Sequence, residues 1–377
     1  MKTQRPLHVM MLGLRGFPNV QGGVETHAEH LCPRLVRMGC KVTVVVRAPY
    51  QPKDIGPEWQ GVKFVSLWAP KSKGLEAIVH TFLGTLYAAV TRPDILHIQA
   101  IGPAIMTLPA RLLGLRVVVT HHGPDYDRQK WGRFARFVLQ LGERWGMRCS
   151  NARIVISRVI ADLVRAKHAR ESALIPNGVV LGALPRSVAA LERFGLQRRR
   201  YVLLVSRLVP EKRHLDLIEA FGQARLPGWK LVIVGGADHP DEYQKSVIAR
   251  AQETGTVMTG FQSGIALQEL YAHAGLFVLP SSHEGMPIAM LEALSYGLPV
   301  IASGIPANVE VGLGDDHYFP LGDCARLAGR LRQHAARGAD EASCAARRTW
   351  VAERNDWQRV AARTLEVYGT VSSNVRG

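Results

Sequence analysis

Residues 281–303 read S-S-H-E-G-M-P-I-A-M-L-E-A-L-S-Y-G-L-P-V-I-A-S. An apolar run at 276–279 stops at Pro280 just before this stretch, and a second run at 299–302 closes it. Strand, loop, helix and strand in that order make one β-α-β unit, the building block of a parallel sheet. The helix is expected to start near Pro287. Glu284 then lies in the loop before it, and Glu292, eight residues on, lies about two turns away along the chain. The first amides of such a helix have no intrahelical acceptor, so the N–H groups of Gly285, Met286 and Ile288 favour an anion. Carboxylates beside an anion site make sense if they bind neutral hydroxyls. A diphosphate with hydroxyls at both ends describes a nucleotide sugar.

Outward from this unit the same alternation repeats. Strands are expected at 201–205, 230–234 and 256–258 on the N-terminal side of the unit. In the first half they are expected at 8–12, 42–47, 62–67, 95–98, 116–120 and 153–156. Most are β-branched and apolar throughout, as suits parallel strands covered on both faces. The intervals hold crossover helices, so the reading is two doubly wound α/β domains. A chain of 377 residues exceeds one ordinary core. The Pro176-Asn177-Gly178 turn marks the boundary, giving domains at 1–175 and 176–355. Residues 350–368 read as helical, and residues 356–377 are set apart from the second domain as a C-terminal helical segment.

Ligands of open parallel sheets bind beyond the carboxyl ends of the strands, and the notable motifs lie there. After the first strand comes G-L-R-G-F-P-N-V-Q-G-G-V-E-T-H, in which Gly22 and Gly23 precede a helix expected near Val24. The pair is either a flexible turn or a place for close ligand approach. His121-His122-Gly123 ends another strand, and either histidine can bond a sugar hydroxyl or a developing charge; His122 is favoured because it directly precedes the glycine. In V-S-R-L-V-P-E-K-R-H, Arg207 and Lys212 can reach one diphosphate, or form a solvated basic loop. Gly235 and Phe261 also follow strands and can frame a base through backbone contacts, if they are more than turns.

Composition bounds the rest. The hydrophobic fraction of 47% and charged fraction of 21% are those of a soluble globular protein. Five cysteines without a C-x-x-C pair speak against a disulfide framework or structural zinc and for a cytoplasmic setting. The run at 7–14 reads as a first strand, not a signal peptide. No apolar stretch approaches the roughly eighteen residues needed to span a bilayer. Residues 1–170 hold 25 Lys and Arg against 10 Asp and Glu, whereas the remainder is balanced at 22 against 21. A basic half implies an anionic partner. Residues 129–148 carry Trp131, Phe134, Phe137, Val138, Leu141 and Trp145 at helical spacing among arginines. That helix either packs on its own sheet or lies on a membrane, and the two can coexist. A nucleic-acid-binding reading of the basic half lacks a recognised module. Metal-ligand spacings, a Ser-His-Asp order and a Walker loop are absent; Asp125 and Asp127 alone are weak evidence for a metal.

Taken together these residues resemble glycosyltransferase family 4, with its GT-B fold of two facing Rossmann-like domains. The resemblance rests on Glu284 and Glu292 within S-x-x-E-G-x-P-x-x-x-L-E-A, on S-R-L-x-x-E-K from Ser206 to Lys212, and on the Pro176-Asn177-Gly178 turn. The G-x-R-G-x-P…G-G-x-E-T and H-G-x-D-x-x-R-x-K-W runs are similar to a bacterial subgroup of rhamnosyl- and hexosyltransferases of surface polysaccharide. The resemblance implies retention of configuration, no metal and no cofactor beyond a nucleoside-diphosphate sugar donor. It implies that Glu284, with Gly285 and Met286, binds the sugar, that Glu292 binds the ribose, and that Arg207 and Lys212 bind the diphosphate. His122 matches a histidine that contacts the transferred sugar. Pro287 and Ile288 complete the donor loop, and the last helix is expected to cross back to the N-terminal domain. Met286 departs from relatives that carry an aromatic residue or leucine. The expected acceptor is a glycan or polyprenyl-diphosphate-linked glycan at the cytoplasmic face of an anionic membrane, without nucleic acid. A non-hydrolysing nucleotide-sugar 2-epimerase is the alternative within this fold.

Overall fold

The computed structural model describes residues 5–51, 55–70, 75–127, 132–237, 241–337 and 340–373. The chain divides into two compact units, one of residues 1–177 with 357–377 and one of residues 178–356. In the first unit the order is β1 (His8–Leu12), α1 (Gly23–Arg37), β2 (Lys41–Arg47), β3 (Glu58–Trp59), β4 (Val62–Leu67), α2 (Leu75–Thr91) and β5 (Ile95–Gln99). Then follow α3 (Thr107–Leu112), β6 (Val117–His121), α4 (Arg133–Cys149), β7 (Ala152–Val155), α5 (Arg158–His168) and β8 (Ala173–Leu174). The sheet order is β3-β4-β2-β1-β5-β6-β7-β8, parallel except for the β3–β4 pair. The chain runs outward from β1 to β2, then restarts on the other side of β1 with β5. That reversal is a topological switch point, where the loops after β1 and β5 diverge and leave a crevice.

The second unit holds α6 (Ala189–Arg193), β9 (Tyr201–Val205), α7 (His214–Ala224), β10 (Lys230–Val234), α8 (Glu242–Thr254), β11 (Val257–Gly260) and α9 (Gly264–Ala272). It continues with β12 (Leu276–Leu279), α10 (Ile288–Ser295), β13 (Val300–Ser303), α11 (Pro306–Val309), β14 (Tyr318–Phe319), α12 (Cys324–Arg337) and α13 (Glu341–Arg354). Its sheet, β11-β10-β9-β12-β13-β14, is wholly parallel and reverses between β9 and β12. Both sheets are therefore doubly wound, as the apolar strand runs required. β9, β10, β12 and β13 are almost entirely buried, with helices on both faces.

Three two-residue strands, β3, β8 and β14, escaped the sequence reading because two residues carry no period. Several boundaries also shift. β6 runs one residue further than expected, so His121 ends the strand and only His122 lies beyond it. The helical stretch expected over 350–368 is two helices. Asn355 leaves helical geometry at φ −125° and ψ 52°, and its carbonyl accepts the Val179 N–H at 2.6 Å. After that break the last helix, α14 (Trp357–Ser373), packs on α1 in the first unit. Trp357 and Tyr368 are fully buried there, in one core with Leu31, Leu35 and Val44.

Candidate active site

In the second unit the loops at the switch point are tied to one another. After β9 the chain enters a short turn, Pro210–Lys212, and after β12 it enters the loop that carries Glu284. The Ser282 amide donates to the Glu211 carbonyl at 2.8 Å. Lys212 Nζ donates to Glu284 Oε1 at 2.5 Å. Both side chains are mostly shielded, 18% and 10% exposed. A pair this dry is strongly coupled, and loss of one partner strands the other's charge. The ammonium has three N–H groups, so its bond to Glu284 leaves capacity for a phosphate oxygen. Arg207 sits half-buried in the same loop, between Ser206 and Leu208. The amides of those two neighbours donate to the carbonyls of Val234 and Gly236, both at 2.9 Å.

α10 begins at Ile288 with Pro287 as its N-cap, as the sequence suggested. The amides of Met290 and Leu291 take the Pro287 carbonyl at 3.1 Å. The helix thus aims its first turn back toward the Glu284 loop, where its dipole favours negative charge. Glu292 lies on its second turn, half-buried, and accepts the Tyr271 hydroxyl proton at 2.9 Å on Oε2. Tyr271 is itself held flat against Tyr296, with ring centroids 5.4 Å apart. Burial first, and the Glu292 charge second, raise the Tyr271 phenol well above its ordinary range, so it stays a donor. Tyr271 was not singled out from the sequence; it sits in α9 among ordinary core residues.

Gly285 and Met286 are half-buried in the loop between Glu284 and α10. Gly235 is buried at φ +133°, a conformation that suits glycine. Its amide donates to the Gly260 carbonyl at 2.9 Å and so braces two strand ends. Phe261 is 45% exposed beside it.

In the first unit the glycine-rich loop has an internal cause. Arg15 and Glu25 form a buried ion pair at 3.1 Å, and Glu25 Oε1 also accepts the Arg15 amide. Burial alone would raise the Glu25 carboxyl, but the Arg15 charge and hydrogen bonds carry it below its ordinary value. A side chain on Gly22, at φ +155°, would meet Glu25 Oε2 at 2.1 Å. Gly22 is therefore required by the pair folded over it, whereas Gly23 is exposed, meets nothing and simply opens α1.

The two adjacent histidines have different partners. His121 is fully buried; its Nε2–H donates to Glu143 at 3.0 Å and its Nδ1 accepts the Gly123 amide at 3.1 Å. Both nitrogens are thus occupied by structure. His122 is half-buried and its Nε2–H donates to Gln99 Oε1 at 2.8 Å. Its ring meets His27 edge-on at 5.0 Å. Burial, then the neighbouring His27, His97 and His121, hold His122 well below the usual imidazole range. It is a neutral ring whose Nδ1 is an acceptor. Gln99 and His27 were not read as site residues; the polar end of the run I-L-H-I-Q was the available signal.

Among the described residues no group of three His, Cys, Asp or Glu side chains could hold a metal, and no helix is long and apolar enough to cross a membrane. The five cysteines are free thiols.

The pattern described as Glycosyltransferase Family 4 matches residues 21–182, and that described as Glycosyl transferases group 1 matches residues 192–313. The chain belongs to these glycosyltransferases. Over 95% of its length this glycosyltransferase is 28% identical to 97% of a GDP-mannose-dependent alpha-(1-6)-phosphatidylinositol monomannoside mannosyltransferase of Mycolicibacterium smegmatis. It is 29% identical, over 57% of its length and 59% of the other's, to the UDP-Gal:alpha-D-GlcNAc-diphosphoundecaprenol alpha-1,3-galactosyltransferase of Escherichia coli. Among solved structures, sucrose-phosphate synthase from Thermosynechococcus elongatus superposes with a TM-score of 0.82 at 19% identity, covering 98% of this chain and all of that one. The glycosyltransferase has the GT-B fold.

Proposed function

We propose that the chain moves a hexosyl group from a nucleoside-diphosphate sugar to a glycan or polyprenyl-diphosphate-linked glycan, with retention of configuration and without a metal, at the cytoplasmic face of a membrane. The observation that carries this reading is the Lys212–Glu284 pair where the sheet of the second unit reverses. A cation and the first turn of α10 suit a diphosphate, and Glu284 and Glu292 suit the hydroxyls at its two ends. Arg207 adds a planar fork for the same phosphates. Gly285, Met286, Pro287 and Ile288 line the donor with backbone. His122, neutral and an acceptor at Nδ1, suits a sugar hydroxyl. The relatives named above use a GDP- or UDP-activated sugar, and both act on lipid-borne acceptors by name.

The deciding experiment incubates purified protein with a panel of nucleotide sugars and lipid-diphosphate acceptors in excess chelator, followed by linkage analysis of the product. Transfer with retained anomeric configuration supports the reading. Turnover only after added divalent metal, or conversion of the donor without any acceptor, refutes it. Tyr271→Phe gives a finer check. It removes the phenol that holds Glu292, so the KM for donor should rise about fivefold, or about 1 kcal/mol, with kcat little changed. An unchanged KM would separate Glu292 from donor binding.

A further inference from the structure

We propose that α2 is a membrane-docking helix whose apolar outer face enters the headgroup region of an anionic bilayer. The helix is inside out. Its buried positions are Glu76, His80, Thr81, Gly84, Thr85 and Ala88, mostly polar or small. Its exposed positions are Leu75, Ile78, Phe82, Leu86 and Val90, apolar and spaced three or four apart, with Thr91 exposed at its very end. A surface helix ordinarily does the reverse. The inversion is stabilised from within: Glu76 pairs with Arg47 at 2.7 Å and accepts the Tyr50 hydroxyl at 3.0 Å. Thr81 and Thr85 bond back to the carbonyls of Ala77 and Thr81. Glu76 and the two threonines of the inner face are thus satisfied, while His80 is buried beside them with neither ring nitrogen in a hydrogen bond of ordinary geometry among the described residues; the apolar outer face is left for a partner.

The surroundings identify the partner. α2 and α4 both pack on the turn Pro103–Met106, and so share one face of the sheet. On that face α4 exposes Phe134 and Phe137, at 78% and 60%, and the end of α3 exposes Leu112 and Leu113. The aromatic stripe expected on α4 is therefore not all core; its first member, Trp131, lies outside the described residues. Trp68, 65% exposed, precedes α2. Arg92, Arg111, Arg133, Arg136 and Arg144 are exposed around these residues. The only acids in α2, α3 and α4 are Glu76 and Glu143, and both are buried in ion pairs. Asp127, in the turn before α4, is also exposed, but the five arginines outnumber it, and an apolar band ringed by cations and aromatic residues matches anionic lipid. A second copy of the same face would set arginine against arginine.

The docking face rests on the membrane-side acceptor proposed above, yet it binds vesicles or fails to whatever sugar is moved. The test is flotation of the full chain with phosphatidylcholine–phosphatidylglycerol vesicles, beside vesicles of phosphatidylcholine alone, at low and physiological salt. The wild-type chain should float with the anionic vesicles at both salts. Phe82→Gln with Leu86→Gln should weaken vesicle binding on the order of thirtyfold, since two half-exposed apolar side chains lose their burial. Both positions are exposed, so the thermal midpoint and donor turnover with a soluble acceptor should stay at wild-type values. Failure of the wild type to float, or flotation unchanged in the double variant, overturns the inference. A concentration-dependent dimer in ultracentrifugation that the double variant abolishes overturns it as well, in favour of a second copy. Flotation without any donor turnover leaves the docking face standing and removes the enzymatic reading instead.

Discussion

Lys212→Ala is expected to lower kcat/KM for sugar transfer by a factor on the order of a thousand. When the sugar leaves, the diphosphate gains negative charge, and a preorganised cation within reach stabilises that charge more than it stabilises the bound donor. Removal of one such group typically costs about 3–4 kcal/mol at the transition state. Here a second effect adds to it. Lys212 is the partner of Glu284 at 2.5 Å, and without it a shielded carboxylate stands unneutralised where the phosphates are to bind. Glu284→Gln removes charge as well but leaves an amide that still bonds hydroxyls, so its loss should be smaller, about a hundredfold. The two substitutions share one interaction and will not add. Lys212→Ala with Glu284→Gln should be no worse than Lys212→Ala alone, because the stranded charge is gone. Initial rates of donor turnover on the four proteins, with thermal midpoints as a folding control, give the cycle. Wild-type activity in Lys212→Ala would remove the pair from the donor site. Strict additivity would mean that the two residues act independently, against the contact at 2.5 Å.

The parallel strands were legible because they are short apolar runs that a two-sided cover demands. Their order was not, since register and strand neighbours depend on long-range pairing. The switch points between β1 and β5 and between β9 and β12 therefore came only from the structure. The one between β9 and β12 is what brings the loops of Lys212 and Glu284 together. Residues with an unusual type at a strand end, such as Arg207, Lys212, His122 and Glu284, could be named from the sequence. Residues that hold them could not. Tyr271, Gln99 and the Arg15–Glu25 pair look like ordinary core or loop residues until a partner far along the chain is known. Gly22 was read as a place for a ligand, and the structure gives it a nearer reason, the carboxylate folded against it. The α2 inversion stayed hidden because its sequence has the apolar content of a buried helix, and only exposure tells which side faces out.

Acid should destabilise the first unit well before its carboxylates matter. His27 and His97 are buried, and burial lowers their imidazoles to about 4 and about 3. His97 bridges Tyr368 of α14 at 2.6 Å and Thr120 of β6 at 2.7 Å. His27 bonds Asn177 at 2.8 Å and meets Trp357 edge-on at 5.5 Å. Together they seat the last helix while neutral. The unfolded chain takes up these protons near the ordinary value of about 6.5, whereas the folded chain does so only near 3–4. Between those values the unfolded state binds more protons, so stability is full above about pH 7 and falls as pH drops toward 4. At about pH 5 each histidine costs about 2 kcal/mol relative to neutral pH. Glu29 opposes this, since burial raises its carboxyl and favours the folded state as protons arrive. His30, His80 and His122 of the same unit are lowered as well, so after that opposing share the thermal midpoint of the unit should drop by at least about 5–10 °C between about pH 7.5 and about pH 5. His97→Gln keeps hydrogen-bonding groups between Tyr368 and Thr120 but cannot be protonated. Its midpoint at neutral pH should be lower than wild type, and its further loss on acidification should shrink by a minor share, because His27, His30, His80 and His122 remain. A midpoint that is flat between the two pH values, or a His97→Gln protein with the full wild-type slope, would show that the buried imidazoles do not set the acid limit.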